Sequence, residues 1–325
     1  MKIQRRRFLH LAAGAAVLPA LSRVARAQTY PTRPVRIVVG FPPGGSNDLY
    51  ARLIGQWLTE QFGGQFIVEN RTGAGGNVAT DSVTRAAPDG YTLLLTSSVD
   101  AWNTALYDNL KFDYLRDIAP VASLALGVMV LVVHPSFPAK TVPEFIAYAK
   151  HNPGKVSVGS GGVGSGSHIS WALFTTLSGT NTVHVPYRGE GPAISDLLGG
   201  QVHAAFPTMA SVIEYVRTSK LPALAVTGAA RSPLLPNVPT VGEFVPGYEA
   251  SGWWGIGAPR NTAAVVIEKL NTAIRASLTD PRLKQRIAEL GDTVFSSSPS
   301  EFRKFTVDYV DKWGKVIRAA NIKID

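Results

Sequence analysis

The stretch Val35-Arg36-Ile37-Val38-Val39-Gly40-Phe41, running straight into Pro42-Pro43-Gly44-Gly45-Ser46-Asn47-Asp48, decides the fold class. A short β-branched apolar run bounded by glycine and proline reads as a buried strand, and the Pro/Gly cluster after it as a tight turn. Leu49, Leu53, Ile54, Trp57 and Leu58 then recur at helical spacing. The unit is strand, turn, helix, and it repeats. Residues 66–70 read as a strand, 71–77 as a glycine-rich loop, and a helix runs to Ala87, where Pro88-Asp89-Gly90 stops it before a strand at 91–96.

A second series begins with a strand at residues 128–133, and Thr141 caps a helix through His151. Strands at 155–159, 182–187, 202–206 and 221–227 alternate with helices at 168–178, 191–198 and 210–217. Pro233, Pro236, Pro239 and Pro246 make residues 231–246 an extended connector. Beyond it come a strand at 253–258 and helices at 262–278, 281–290 and 300–320. Alternating strands and crossover helices define an α/β class, and two such units predict two lobes with a ligand cleft between them.

Composition narrows the chemistry. The 325 residues include no cysteine, which excludes thiol nucleophiles, disulfides, zinc–thiolate sites and iron–sulfur clusters. The net charge of +9 invites a nucleic-acid partner, but Lys2, Arg5, Arg6, Arg7, Arg23 and Arg26 stand in the first 27 residues with no acid among them. What remains is 26 basic against 23 acidic residues, too even a balance for a nucleic-acid surface. Residues 1–27 read as an export signal: a basic start, an apolar run at 8–21, and Ala25-Arg26-Ala27 as the cleavage site. Arg5-Arg6-Arg7-Phe8-Leu9 resembles a twin-arginine signal, and a cut after Ala27 leaves a chain starting at Gln28. No later run is long and apolar enough to span a bilayer, so the mature chain is expected in the periplasm without membrane insertion.

Three glycine-rich turns each sit between a strand and a helix: residues 42–48, 71–77 and 160–167. Exposed turn amides and the positive end of the following helix make such a turn an anion cradle. A charge-assisted hydrogen bond contributes about 1.5–3 kcal/mol, and micromolar binding needs about 8 kcal/mol, so two facing turns suffice without an ion pair. The enzyme readings are weaker. Gly159-Ser160-Gly161-Gly162-Val163-Gly164 formally matches a dinucleotide fingerprint, with Glu190 near the place of a ribose-binding acid, but its first glycine belongs to a strand. No Gly-x-Ser-x-Gly elbow is present, because Val163 stands two positions before Ser165. No histidine pair has helical metal spacing, and no cofactor is expected. His168 starts a helix beside the Ser/Gly loop, where it either donates to a ligand or caps its own turn. Trp102, Trp171, Trp253 and Trp254 either wall an apolar ligand or pack the lobe junction; Trp57 and Trp313 fall on core stripes. Arg188 either grips a distal carboxylate or stays on the surface.

A set of spaced runs marks the first half of the chain: Tyr30-Pro31-Thr32-Arg33-Pro34, Phe41-Pro42-Pro43-Gly44-Gly45-x-x-Asp48-x-x-Ala51-Arg52, Val68-Glu69-Asn70-Arg71-x-Gly73-Ala74-Gly75-Gly76 and Ala87-Pro88-Asp89-Gly90-Tyr91-Thr92-Leu93-Leu94. It continues through His184-Val185-Pro186-Tyr187-Arg188-Gly189, Asp196-Leu197-Leu198-Gly199-Gly200-Gln201-Val202, Ala223-Leu224-Ala225-Val226-Thr227 and Pro236-x-Val238-Pro239-Thr240. By these runs, which cover nearly all of the mature chain, the sequence resembles the Bug-type extracytoplasmic solute receptors, the binding proteins of tripartite tricarboxylate transporters. The resemblance implies a type II periplasmic-binding fold, with one lobe from residues 28–126 and 250–325 and the other from 127–249. It implies a monomer that performs no chemistry, captures a small organic acid (a dicarboxylate, tricarboxylate or aromatic acid) and hands it to a two-component membrane permease. A ligand-sensing receptor for a sensor kinase is the alternative, and a nucleotide-dependent enzyme the more distant one. The carried-over ligand positions are Phe41, Gly44, Gly45, Ser46, Asn47 and Asp48 in the first turn, Gly161, Gly162, Gly164, Ser165, Ser167 and His168 in the second, with Ser97, Asn103, Tyr187 and Arg188 nearby. Two positions depart from the family: Arg188 stands where many relatives have lysine, and Pro207 follows Phe206 where many have aspartate. The lost acid implies a pocket less suited to a ligand amine.

Overall fold

The computed structural model describes residues 30–320 and 322. The leader, its arginines and the cut after Ala27 lie outside the described residues. Along the first part of the chain run β1 (Val35–Val39), α1 (Ser46–Phe62), β2 (Phe66–Asn70), α2 (Asn77–Thr84), β3 (Thr92–Ser97), α3 (Ser98–Leu106), α4 (Tyr114–Asp117) and β4 (Ile118–Val128). The middle holds β5 (Val130–Val133), α5 (Val142–His151), β6 (Ser157–Ser160), α6 (Gly166–Ser178), β7 (Val183–Pro186), α7 (Glu190–Leu198), β8 (Ala204–Ala205), α8 (Met209–Arg217) and β9 (Ala223–Val226). The last part holds β10 (Ser251–Pro259), α9 (Ala264–Ser277), α10 (Pro281–Glu289), β11 (Thr293–Val294) and α11 (Pro299–Ala319).

These strands form two sheets, a six-stranded one in the order β11-β4-β10-β3-β1-β2 and a five-stranded one in the order β7-β6-β8-β5-β9. The larger sheet draws strands from both ends of the described chain. In it β1 pairs in parallel with β2 and with β3, so the chain moves from β1 to one side and returns to the other. In the smaller sheet β6 does the same between β7 and β8. Each sheet therefore has a point where strand order reverses, with the following loops diverging to leave a crevice beyond the carboxyl ends of the strands. The glycine-rich turns of residues 42–48 and 160–167 leave β1 and β6 at these two points.

Packing fixes this arrangement. Val35, Ile37 and Val39 of β1 bury against Ile54 and Leu58 of α1 and Leu270 and Ile274 of α9, each such side chain contributing about 1.5–3 kcal/mol. A second cluster spans both sheets, through Trp102, Met129, Phe206, Trp253 and Trp313. The two sheets are joined where Met129 and Thr227 lie side by side: Thr227 N donates to Met129 O (2.9 Å) and Met129 N to Thr227 Oγ1 (2.9 Å).

Three local expectations are corrected. The apolar run at 128–133 is not one strand, because Val128 ends β4 in the larger sheet and Val130 starts β5 in the smaller. A strand at Ile118–Val128 and a helix at Ser98–Leu106 occupy segments the periodicity left unassigned. Leu49 is not on the buried face of α1, which is formed instead by Tyr50, Ala51, Ile54, Gly55 and Leu58 beside Asp48.

Candidate functional site

A cavity of about 700 Å³ lies where the loops of the two sheets meet, a size within the range of small-molecule sites. Its wall contains Gly45, Ser97, Ser165, Gly189 and Thr208. These are the N-cap residues of α1, α3, α6, α7 and α8. The first amides of a helix have no intrahelical acceptor, and the aligned peptide dipoles leave about half a positive charge at that end. Five such ends converge on one space, two from the larger sheet and three from the smaller. Among the described residues no lysine, arginine or histidine lines it, and the charged side chains on the wall are Glu190 and Asp292. The cavity attracts anions through backbone dipoles and holds no fixed cation.

The first turn is braced from behind. The Asp48 carboxylate, 2% exposed, accepts from Gly44 N (2.9 Å), Arg52 Nε (2.9 Å) and Nη2 (3.0 Å), and Asn70 Nδ2 (3.0 Å). The Arg52 guanidinium holds its pKa down to about 2, against the opposing effect of burial. Asp48 and Gly44 thus form the loop's frame and do not reach the cavity, whereas Phe41, Gly45, Ser46 and Asn47 do. Asn47 Oδ1 accepts from Trp254 Nε1 (2.6 Å), which turns its amide Nδ2 into the free end. Trp254 stacks on Tyr50 at 4.6 Å and 24°, and Tyr50 Oη donates to Asp292 Oδ2 (2.7 Å).

At the end of β3, Ser97 and Asn103 also face the cavity. Ser97 N donates to Asp100 Oδ2 (2.8 Å), and the Ser97 side chain faces the Asp100 amide in return, a capping box that starts α3 at the cavity wall. Asn103 Nδ2 donates to Gly75 O (2.9 Å) and Asn77 Oδ1 (3.0 Å). Of the loop at 71–77 only Gly75 reaches the wall.

The second turn is held by its own side chains. Ser165 Oγ accepts from His168 N (3.3 Å), Ser167 Oγ from Gly161 N (2.9 Å), Ser160 Oγ from Gly162 N (3.1 Å) and His168 Nδ1 from Gly164 N (3.2 Å). With its Nδ1 accepting, the His168 ring caps its own turn. It stacks on His184 at 3.8 Å and 4°, and burial lowers its pKa to about 4. Gly161, Gly164 and Ser165 line the cavity, whereas Gly162, Ser167 and His168 stand behind them as supports. The amides of Gly161, Gly162 and Gly164 already have acceptors, which removes the pyrophosphate contacts a dinucleotide fingerprint would need. Tyr187 Oη donates to Asp196 Oδ2 (2.6 Å), away from the wall, and Arg188 is exposed outside it.

Trp102 and Trp254 wall the cavity, whereas Trp171 and Trp253 are core residues at 3% and 0% exposure. Sequence reasoning missed Thr208, Met129 and Asp292, and weighed Glu190 only as a ribose ligand. Glu190 Oε2 accepts from Thr208 Oγ1 (2.9 Å) and Ser211 Oγ (2.9 Å), so an acid stands beside Pro207 although position 207 itself has none. The acid missing at position 207 thus has a neighbour in Glu190 on the same wall. Thr208 was readable as a helix cap; nothing local marks Asp292.

Two α/β lobes with a shared cavity at their strand ends define a type II periplasmic binding protein, a fold that captures a solute between its lobes. Residues 50–322 match the tripartite tricarboxylate transporter family receptor, and the chain belongs to this family of solute receptors. It is 36% identical over 301 residues to protein BugT of Bordetella pertussis, covering 92% of each chain. Among solved structures it is similar to R. palustris Rpa4515 with adipate (34% identity, TM-score 0.82, 91% of this chain and 100% of that one). It is also similar to MatC (Rpa3494) from Rhodopseudomonas palustris with bound malate (31% identity, TM-score 0.78, covering 89% and 100%).

Proposed function

We propose that this chain captures a small organic carboxylate in the periplasm and delivers it to a two-component membrane permease. The observation that carries this reading is the convergence of five helix N-caps on one cavity that has no basic side chain among the described residues. A carboxylate accepting from three or four of those amides at about 1.5–3 kcal/mol each reaches micromolar affinity with no ion pair. The acids bound to Rpa4515 and MatC support the ligand class. Phe41, Trp102, Val163, Trp254 and Leu290 give the wall an apolar part, which suits a dicarboxylate with a hydrocarbon body or an aromatic acid. Three negative charges beside the Glu190 carboxylate, with no basic side chain on the wall among the described residues, make a tricarboxylate the poorest fit.

The leader fits export through the twin-arginine route with cleavage after Ala27, and the mature chain is read as a monomer. Blocking that route is expected to leave the precursor in the cytoplasm; continued export points to the general secretory route.

The test is a thermal-shift screen of the chain from Gln28 against citrate, C4 to C6 dicarboxylates, aromatic carboxylates and acidic amino acids, with nucleotides as controls. A ligand at a hundred times its dissociation constant adds about 2.7 kcal/mol of stability. A shift with one acid class is the expected result. A shift with nucleotides alone, or none with any acid, removes the carboxylate reading.

A further inference from the structure

Asp292 stands on the cavity wall in the turn between α10 and β11. Gly291 before it has φ +81°, and a Cβ there would lie 2.2 Å from Met209 Cγ, so the turn is pressed against the first residue of α8 from the other lobe. Gly127 of β4 makes room for the acid in the same way, because a Cβ on it would lie 2.9 Å from Asp292 Oδ1. Oδ2 accepts from Tyr50 Oη, and Oδ1 has no hydrogen-bond partner among the described residues. The neighbouring groups offer no charge compensation. α1 presents Tyr50, whose own ionisation burial opposes; β4 presents Gly127, β10 Trp254, the residue ending α10 is Leu290, and α8 presents Met209, none of them a cation. The other charged side chain on the wall is the Glu190 carboxylate.

An ionised Asp292 in this position would repel the anion that five helix ends attract, in a space where water screens poorly. A protonated Asp292 would complement it, offering a donor from a carboxyl already oriented by Tyr50. We propose that Asp292 sets which ligands the cavity holds, donating a hydrogen bond as the protonated acid to an anionic oxygen of the bound carboxylate, so that capture draws a proton from solution onto whatever fraction of Asp292 was ionised beforehand. This rests on the carboxylate reading of the cavity. Burial raises the carboxyl's pKa to about 7 before any ligand arrives, with the Tyr50 hydrogen bond working against the rise, so the proton is available near neutrality. A ligand hydroxyl or amine facing Asp292 would require the opposite, an ionised acceptor that favours higher pH.

The experiment compares wild-type protein, Asp292→Asn and Tyr50→Phe, each titrated at pH 6 and pH 8 with C4 to C6 dicarboxylates, malate and benzoate. For a group titrating at about 7 in the free protein and held protonated in the complex, the apparent dissociation constant rises about tenfold between those pH values. The asparagine side chain introduced by Asp292→Asn keeps an acceptor for Tyr50 and supplies an amide donor that never ionises. Asp292→Asn is therefore expected to bind equally at both pH values, and about tenfold more tightly than wild type at pH 8. Tyr50→Phe removes the bond that favours the ionised form while keeping an aromatic face for Trp254, and is expected to push the onset of weakening to higher pH. Wild-type binding that is equal at both pH values, or stronger at pH 8, overturns the proposal and leaves the carboxylate reading standing. An Asp292→Asn protein with unchanged unfolding temperature that is weakened at pH 8 also overturns it. No binding of any of these acids at pH 6 removes both readings.

Discussion

Gly127→Ala should damage the cavity through a single methyl group. The added Cβ would lie 2.6 and 2.7 Å from Trp254 Cζ3 and Cη2, closer than packed side chains come, and 2.9 Å from Asp292 Oδ1. Backbone relief is limited, since Gly127 is paired with Gly252 in the β4–β10 ladder. The indole must turn, and in turning it loses the Tyr50 stack and the 2.6 Å bond to Asn47. The stack contributes about 0.5–1.5 kcal/mol and the hydrogen bond about 1 kcal/mol, so a loss of about 2 kcal/mol in unfolding free energy is expected. In a protein of this size that lowers the melting temperature by about 3 °C. Affinity should fall by more, because the displaced ring enters the space the ligand occupies and frees Asn47 to rotate. Chemical denaturation measures the first effect, and calorimetric titration with the tightest acid from the screen measures the second. Gly247→Ala is the control: at φ +80° with open space around the Cβ position, it carries only the backbone cost of about 1 kcal/mol. A Gly127→Ala protein with wild-type affinity, or one weakened no more than Gly247→Ala, refutes the placement of Trp254 as a ligand wall.

Ser97→Ala removes the hydroxyl half of the capping box that starts α3 and should cost about 1 kcal/mol of stability, read by urea denaturation; an unchanged unfolding free energy shows that this cap carries nothing. Asp48→Ala leaves Gly44 N without its acceptor and the Asn70 amide with Phe41 O alone, and should cost about 2–4 kcal/mol of stability, read by urea denaturation. Its pH signature follows from a folded pKa of about 2 against an ordinary value of 3.8: the contribution is complete above the ordinary value and disappears as pH falls through 2. His168 behaves as a base whose neutral form the fold prefers, with a pKa near 4 in place of 6.5. Its share of stability is present above 6.5 and declines as pH falls from there towards 4, and His168→Asn should flatten that part of the stability profile. Arg188→Ala should leave the affinity for dicarboxylates and monocarboxylates unchanged, since the side chain lies outside the wall; a selective loss of dicarboxylates restores it as a distal clamp.

Where the sequence pattern depends on neighbours along the chain, it could be read. The β1 run was legible because β-branched residues sat between turn formers, and Thr141 was legible as a cap because its hydroxyl meets an amide three residues on. β4 was not: Ile118–Val128 contains Pro120, Gly127 and several small residues, and buries side chains on both faces, so it shows neither alternation nor strong strand preference. α3 was hidden by the absence of a linker, since Ser97 is at once the last residue of β3 and the cap of the helix. Dipole reasoning chose both cradle loops, yet it could not separate the residues that face the cavity from those that brace it. Asp48, Ser167 and His168 have the right chemistry for a ligand and spend it on the loop. Which side a polar residue serves depends on partners such as Arg52, Asn70 and His184, and their approach is a property of the folded chain.

The same distinction explains a cavity that attracts acids without a cation. A buried lysine or arginine would bring a large desolvation cost in the empty state and a strong fixed attraction in the filled one, which suits retention more than transfer. Helix amides are desolvated only partly, cannot be neutralised by pH, and act within the first turn. Here two ends belong to the six-stranded sheet and three to the five-stranded one, so a ligand collects the full set of donors only when both lobes face it at once. Opening the lobes then divides the binding energy between them, and a carboxylate left with the donors of one lobe is held by roughly half the contacts. Affinity in such a site is a property of the lobes' relative position, which is the quantity a permease can change by binding one conformation in preference to another.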